Sequence, residues 1–495
     1  MLFTKTLDLE FTPTAMMLCI EHEYWNNICV LQRKVGEIMI SLLRNKIEIE
    51  ENRKIFSNID LKLLIVPLII EQLLTLLVGI VDTLMVSYAG EAAVSGVSLV
   101  NQLNNVFIMI FAALASGGAV VASQYIGNKD KEKGVLAASQ LVMITTVFSV
   151  VMMVLIIVFR TGLLSLLFGQ VENDVMQASD TYLIISALSF PALAIYNSCA
   201  GLFRSMSKTK IIMYVSLIMN GINIIGNAIG IFVLHAGVEG VAYPSLISRM
   251  VAAIILLVLC FNKKYPIYIK IKGILTWSYA MIRRILYIAV PNSIESGLFQ
   301  ISKVALSSIV ALFGTSQIAA NGIAQSFWSV GALFCIAMGP AFITVIGQCM
   351  GSGDIEAADY YMRKLLKITY IGAIAWNMGF LVLIPFILKL YNLTNDTVQL
   401  IIILCIIHNI FNGLLCPVAF SFANGMRAAG DVKYSMYSSI FATVVCRVVL
   451  SIVLAIWLDL GVIGIALAMI GDWLIKAILI ALRYRNGKWK SFKII

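Results

Sequence analysis

Residues 67–90 read PLIIEQLLTLLVGIVDTLMVSYAG, an apolar run that carries two acids, Glu71 and Asp82. The apolar stretch as a whole, about 61–87, is long enough to cross a bilayer, because about 20 residues rising ~1.5 Å each span the ~30 Å hydrocarbon core. Both acids therefore belong at membrane depth. A carboxylate there costs about 2.5–3.5 kcal/mol on insertion scales, so it turns toward a protein interior or a watered cavity and marks a function. A separation of eleven residues is three helical turns plus about 20°, which places both acids on one face, ~16 Å apart along the axis.

The rest of the chain agrees with that reading. Of its 495 residues 60% are hydrophobic and only 13% charged, with a mean hydropathy of +0.93, which is the composition of an integral membrane protein. The net charge of +10 fits basic loops on one membrane face rather than a nucleic-acid partner. Nine cysteines occur without a C-x-x-C pair, so they read as small buried hydrophobes, and redox or zinc chemistry is not indicated.

Beyond residue 60, apolar runs follow at about 61–87, 97–127, 134–159, 181–203, 211–234, 240–261, 285–313, 318–349, 368–388, 397–423, 434–458 and 460–482. The expected architecture is all-α, with twelve transmembrane helices in two pseudo-symmetric six-helix bundles. Domain boundaries follow at 1–58 (a polar N-terminal segment), 59–262 (N-lobe), 263–284 (cytoplasmic linker), 285–483 (C-lobe) and 484–495 (tail). Within the first segment, residues 35–47 have the pattern of a short amphipathic helix, Met39 is an alternative start, and His22-Glu23 lacks the second histidine of a zinc motif because Asn26 takes its place. The loops after the even-numbered spans and the tail hold 22 Lys and Arg, against Arg160 and Lys389 alone on the other side. The positive-inside rule then places both termini in the cytoplasm.

The two halves repeat at an offset of 224 residues. Pro67, Glu71, Leu74, Val86 and Gly90 fall on Pro291, Glu295, Leu298, Val310 and Gly314, and QYIGNKDKE from Gln124 falls on QCMGSGDIE from Gln348. With one residue of slippage, Arg204 meets Arg427. Six-helix halves of equal orientation form a parallel repeat about an axis along the membrane normal, and such lobes enclose a cleft that rocking opens to each side in turn. Coupling such rocking to an ion needs a charge in the wall, since a buried carboxyl can take up and release a proton in step with conformation.

Candidates for coupling or gating are Glu71, Asp82 and Glu295. Lys303 would be a counter-charge to an acid on a neighbouring helix, and Arg249, Asp472 and Lys476 would form ion pairs near the cytoplasmic side. The fifth span carries Asn220, Asn223 and Asn227 at helical spacing, where amide oxygens either coordinate a hard cation or join helix to helix. His408 and Asn412 on the tenth span either line the substrate cavity or bond to a neighbouring helix, and Arg447 stands opposite Asn223 in the repeat. Asp82 has Leu306 as its counterpart, so the coupling charge belongs to the N-lobe, whereas Glu71 and Glu295 share an architectural or gating role.

The Pro-x-x-x-Glu opening, GIVDTLMV, Asn101-Gln102, the QYIGNKD loop and GVEGVA at Gly237 resemble the multidrug and toxic compound extrusion (MATE) family. The resemblance runs from about residue 56 to 485. It implies a monomeric secondary antiporter in a bacterial-type plasma membrane that exports small organic cations or amphipathic drugs in exchange for H+ or Na+, with no cofactor beyond that ion. It further implies an ion-coupling set of Asp82, Asn223, Asn227 and Ser245, with Na+ held at Asp82, Asn223 and Asn227 if that is the ion. Asn227 stands where the family usually has Asp, which inclines the reading toward protons. The family's other ion site uses an acid of the seventh span near the position of Gln300 and an Asp of the tenth, and this chain has neither there. A flippase of lipid-linked saccharides is the alternative. An enzyme is not expected, since acid-pair metal motifs and a phosphate-binding loop are absent from the sequence.

Overall fold

A computed structural model describes residues 49–169, 171–389 and 394–495. The long apolar runs fold as helices because lipid offers the backbone no hydrogen-bond partners, so each segment must satisfy its own. In chain order they are α1 (Asn58–Ser87), α2 (Glu91–Gly127), α3 (Lys131–Phe168), α4 (Asn173–Leu188 and Phe190–Ser205), α5 (Thr209–Val233), α6 (Glu239–Cys260), α7 (Tyr279–Val310), α8 (Thr315–Gly351), α9 (Ile355–Leu388), α10 (Asn395–Ala428), α11 (Val432–Trp457) and α12 (Gly461–Arg485). Eleven are long and apolar enough to cross a membrane singly, and α4 crosses as a pair bent by 44°. Its break has a local cause: Pro191 has no N–H to return to the preceding turn, and Ser189 closes that turn with its own N–H to Ser186 O.

The repeat persists in the packing. Val86, Val100, Ile156, Leu164, Ile231 and Val241 lie in the N-lobe core, and the residues 224 positions later, Val310, Ala324, Phe380, Leu388, Ala455 and Ile465, lie in the C-lobe core. Each lobe thus has its own buried apolar centre, and the lobes meet where α2 packs along α7 and α8 and α1 packs against α8.

The glutamines of the repeated loop motif seal that meeting. Gln124 donates to Ala428 O at the end of α10, and Gln348 donates to Ser205 O at the end of α4, both at 2.8 Å. Each glutamine therefore binds the opposite lobe. Thr344 donates to Arg204 O, Asn292 to Ser116 Oγ, and Arg284 to the Tyr125 hydroxyl. Among the described residues, the hydrogen bonds between lobes all fall in the half of the bundle nearest the basic loops. The cleft between the lobes is closed on the basic side. A cavity of about 60 Å³ forms its floor, lined by Ala112, Ser116, Asn197, Arg204 and Thr344.

The glycine three residues after each glutamine permits this approach. A Cβ at Gly127 would lie 2.0 Å from Gln348 O, and one at Gly351 would lie 1.9 Å from Gln124 O. The motif's aspartates do a third job. Asp130 Oδ1 accepts from Lys133 N at 3.1 Å and Asp354 Oδ1 from Ala357 N at 2.9 Å, capping α3 and α9. The Arg53 guanidinium, bonded to both Asp354 oxygens, holds that carboxyl below its ordinary range. Its stabilisation is therefore complete above the ordinary carboxylate value of about 4 and is lost as pH falls through the lowered one. Asp354→Ala is expected to cost about 1 kcal/mol at neutral pH, read as a lower midpoint of thermal unfolding that converges on the parent in acid.

Three boundaries differ from the sequence reading. Residues 49–57 are packed: Arg53 pairs with Asp354 and Glu356 at 2.7 Å, and Phe56 N donates to the Tyr361 hydroxyl at 2.9 Å. The linker includes a one-turn helix, Ile271–Leu275, and is pinned to α3 by Gln140, which donates to Gly273 O and Thr276 O and accepts from Ser278 N. As a result α7 starts at Tyr279, not at 285. The tail folds back on the C-lobe, with Trp489 fully buried against Tyr484 and Lys490 paired with Asp359 at 2.8 Å. The amphipathic stretch 35–47, Met39 and the His22-Glu23 pair lie outside the described residues.

Candidate functional site

Close packing of α5 on α6 builds the N-lobe site. Gly226 sits against Pro244 and Gly230 against Gly240, positions where a Cβ would fall 2.6 and 2.2 Å from its nearest neighbour. Small residues there let two helices approach in a setting where the hydrophobic effect does not drive them together. Asn223 and Asn227, one turn apart on α5, then reach Ser245 on α6 and Asp82 on α1. Asn227 Nδ2 donates to Asp82 Oδ1 at 2.7 Å. The Asn223 amide fits its surroundings in two ways. With its nitrogen toward α1, it lies 2.8 and 3.3 Å from the two Asp82 oxygens while its oxygen accepts from Ser245 Oγ at 3.0 Å. Turned over, its nitrogen donates to Ser245 Oγ at 3.0 Å and its oxygen faces Asp82.

The four residues expected to form the coupling set are thus brought together. Asn227 Oδ1 is buried with no partner, as is Asn220 Nδ2 one turn before Asn223. A fifth group belongs beside them. Arg249, one turn beyond Ser245, acts electrostatically on Asp82 and donates to Ser189 Oγ at 2.7 Å, at the break in α4. The sequence reading had Arg249 in an ion pair near the cytoplasmic face; instead it stands next to the site and pairs with no carboxylate within 4 Å among the described residues. A rare cation at membrane depth was the available signal, but its neighbour was not legible.

Glu71 and Glu295 take matching places. Arg204 Nη2 lies 2.5 Å from Glu71 Oε1, and Arg427 Nη2 lies 2.6 Å from Glu295 Oε2. The two acids and the two arginines that the repeat equates therefore pair, one couple per lobe. Lys476 adds a second cation to Glu295 at 3.2 Å, where the N-lobe has Ala252. Arg204 and Arg427 also sit at the ends of α4 and α10, whose carbonyls accept the bonds from Gln348, Thr344 and Gln124. Each ion pair anchors an acceptor of the interlobe seal.

The C-lobe counterpart of the Asp82 site has inverted chemistry. Asp82, Asn223, Asn227 and Ser245 correspond to Leu306, Arg447, Ser451 and Met469. Arg447 pairs with Asp472, Nη2 to Oδ2, at 2.5 Å. Lys303 does not meet an acid as the sequence reading expected; its ammonium lies 5.9 and 5.8 Å from the ring centres of Phe299 and Trp328. His408 is buried beside Trp473 with neither ring nitrogen bonded, so it joins no helix to another. Asn412 donates to Asn377 Oδ1 of α9 at 3.3 Å inside a buried amide cluster around Gly331, so it bonds to a neighbouring helix. Gln300 is half-buried on α7 and takes part in neither cluster.

Comparison with known proteins agrees with this architecture. The MatE family model matches residues 67–229 and again 291–453, two copies set 224 residues apart. The uncharacterized transporter YisQ of Bacillus subtilis is 27% identical, covering 86% of this chain and 93% of its own length. The probable multidrug resistance protein NorM of Thermotoga maritima is 22% identical over 92% of this chain and 97% of its own. Among solved structures, the outward-facing conformation of a multidrug resistance MATE family transporter of the MOP superfamily superposes with a TM-score of 0.80 at 21% identity, covering 88% of this chain and 96% of the other.

Proposed function

The chain belongs to the MatE family and is a multi-pass membrane transporter, not an enzyme, and from that premise we propose that it is an antiporter that exports amphipathic and cationic organic compounds in exchange for an inward-moving proton. The proposal places the basic loops and both ends of the described chain in the cytoplasm of a bacterial-type plasma membrane. The cleft described above is then closed toward the cytoplasm. Relatives named for multidrug resistance and multidrug export support organic compounds as the cargo.

The observation that carries the proton reading is the layout around Asp82. Asn227 Nδ2 faces its carboxylate at 2.7 Å, and the Asn223 nitrogen does so at 2.8 Å when that amide is turned toward α1. A sodium site would need those amides to present oxygen, whereas in that orientation N–H donors satisfy the carboxylate. When Asp82 takes a proton, its new O–H can donate to the Asn223 oxygen once that amide turns over, and the freed nitrogen donates to Ser245 Oγ. Both protonation states are thus satisfied by one side-chain rotation. The change is handed to α5 and α6, the helices joined at Asn223–Ser245, and through Arg249 to the break in α4. Alternation between lobes would then follow protonation at one wall of the cleft.

The experiment is efflux of a cationic dye from cells or proteoliposomes, with the pH and sodium gradients imposed separately. Asp82→Asn is expected to reduce gradient-driven efflux to the background of protein-free controls, and Asn227→Asp, which adds a second acid, to make efflux respond to sodium. Efflux by the parent that follows sodium and ignores pH would overturn the proton assignment. Efflux undiminished in Asp82→Asn would overturn the site.

A further inference from the structure

We propose that the C-lobe holds a binding site for an aromatic organic anion, a ring carrying a carboxylate or sulfonate, with Lys303 and Arg447 as its charge partners and Phe299 and Trp328 as its walls. The four residues line one cavity of about 180 Å³, together with Gln325 and Leu306. Two cations line the cavity, and no acid is among the residues that line it. Arg447 is paired with Asp472, but Lys303 has no carboxylate within 4 Å among the described residues. A bare ammonium at membrane depth is costly and is retained where it serves a ligand or an ion path. Its present neighbours are ring faces, which compensate a cation weakly and can be exchanged for an anion.

Two residues of the lining also carry unfilled donors. Arg447 is 2% exposed and its Nε has no hydrogen-bond partner. Trp328 Nε1 is also buried and unbonded. With the Lys303 ammonium these make three donor groups on residues that line one cavity, and an anion is the ligand that would satisfy them. Phe299 is approached by both cations, Lys303 at 5.9 Å and Arg447 at 5.4 Å from its centre, so a ring in the ligand would stack where its charged group meets both. The repeat puts Leu306 where the N-lobe has Asp82, and no acid is among the residues that line the cavity to repel an anion or attract a cation. The N-lobe site and this one therefore select opposite charges.

The test is titration calorimetry on the full chain in lipid nanodiscs with two probes that share a ring, 2-naphthalenesulfonate and 2-naphthylmethylammonium, and with inorganic sulfate as a third arm. The sulfonate is expected to bind and the ammonium not. Lys303→Met should weaken the sulfonate by roughly tenfold or more, the loss of one charged hydrogen-bond donor. Lys303→Arg, which keeps the charge, should retain binding and shows that the helix tolerates exchange at this position. Tighter binding of the ammonium, no binding of the sulfonate by the parent, or equal sulfonate binding by Lys303→Met would overturn the proposal. Sulfate competing as well as the sulfonate would overturn its aromatic part. The measurement is made at equilibrium without a gradient and Asp82→Asn should leave it unchanged, so its failure is distinct from failure of the coupling reading.

Discussion

Replacing Glu295 by glutamine is expected to destabilise the protein by about 3–5 kcal/mol, the usual cost of removing one partner from a buried ion pair. Glu295 compensates two cations, Arg427 at 2.6 Å and Lys476 at 3.2 Å, with Lys476 only 6% exposed. Without the carboxylate both charges stay in a low-dielectric interior with nothing to balance them. The twin substitution, Glu71→Gln, should cost less. Its partner Arg204 is 20% exposed and lines the floor cavity, where water can solvate the freed guanidinium. The measurement is thermal unfolding of the purified protein, with Glu71→Gln/Arg204→Gln expected to recover most of the single-variant loss, because no charge is then left unpaired. Equal losses at Glu71 and Glu295 would show that the second cation of the C-lobe does not matter.

The seal between the lobes should be as sensitive to a single methyl group. Gly127→Ala or Gly351→Ala places a Cβ about 2 Å from a backbone carbonyl of the opposite lobe, and a carbonyl within a helix has no rotamer by which to move aside. Relief requires the lobes to part on the basic side. Overpacking of this kind costs about 1–3 kcal/mol, which corresponds to a roughly 5- to 150-fold fall in the population of the sealed state. Efflux should fall with it. A cysteine placed at Ala112, on the floor of the cleft, should become reachable by a membrane-impermeant maleimide from the basic side, with the parent's own thiols as the blank. Unchanged labelling and unchanged efflux in both variants would refute the seal.

Much of this architecture was legible in the chain. The twelve spans follow from the apolar runs and the offset of 224 residues from residues that recur in both halves; the quartet of Asp82, Asn223, Asn227 and Ser245 is what the family resemblance implied, and the structure places it within hydrogen-bond reach. The repeated Q-x-x-G-x-x-D loop was visible as a pattern. What the pattern is for became clear only once each glutamine was seen to bind the other lobe and each glycine to leave room for it.

Helical period assigns a residue to a face, but it does not say which neighbour that face meets. That choice is made by how helices 8–10 Å apart rotate and cross, and it explains each misplacement. Lys303 was expected opposite an acid and lies over two aromatic rings; Arg249 was expected in an ion pair and stands beside Asp82. The repeat equated Glu71 with Glu295 and Arg204 with Arg427 without joining acid to base, because residues 133 positions apart carry no local signal of contact. The sequence by itself determined a two-lobed, twelve-span transporter and the acid in its N-lobe. The tertiary structure decided which charges meet, because that depends on how the packed helices rotate and cross.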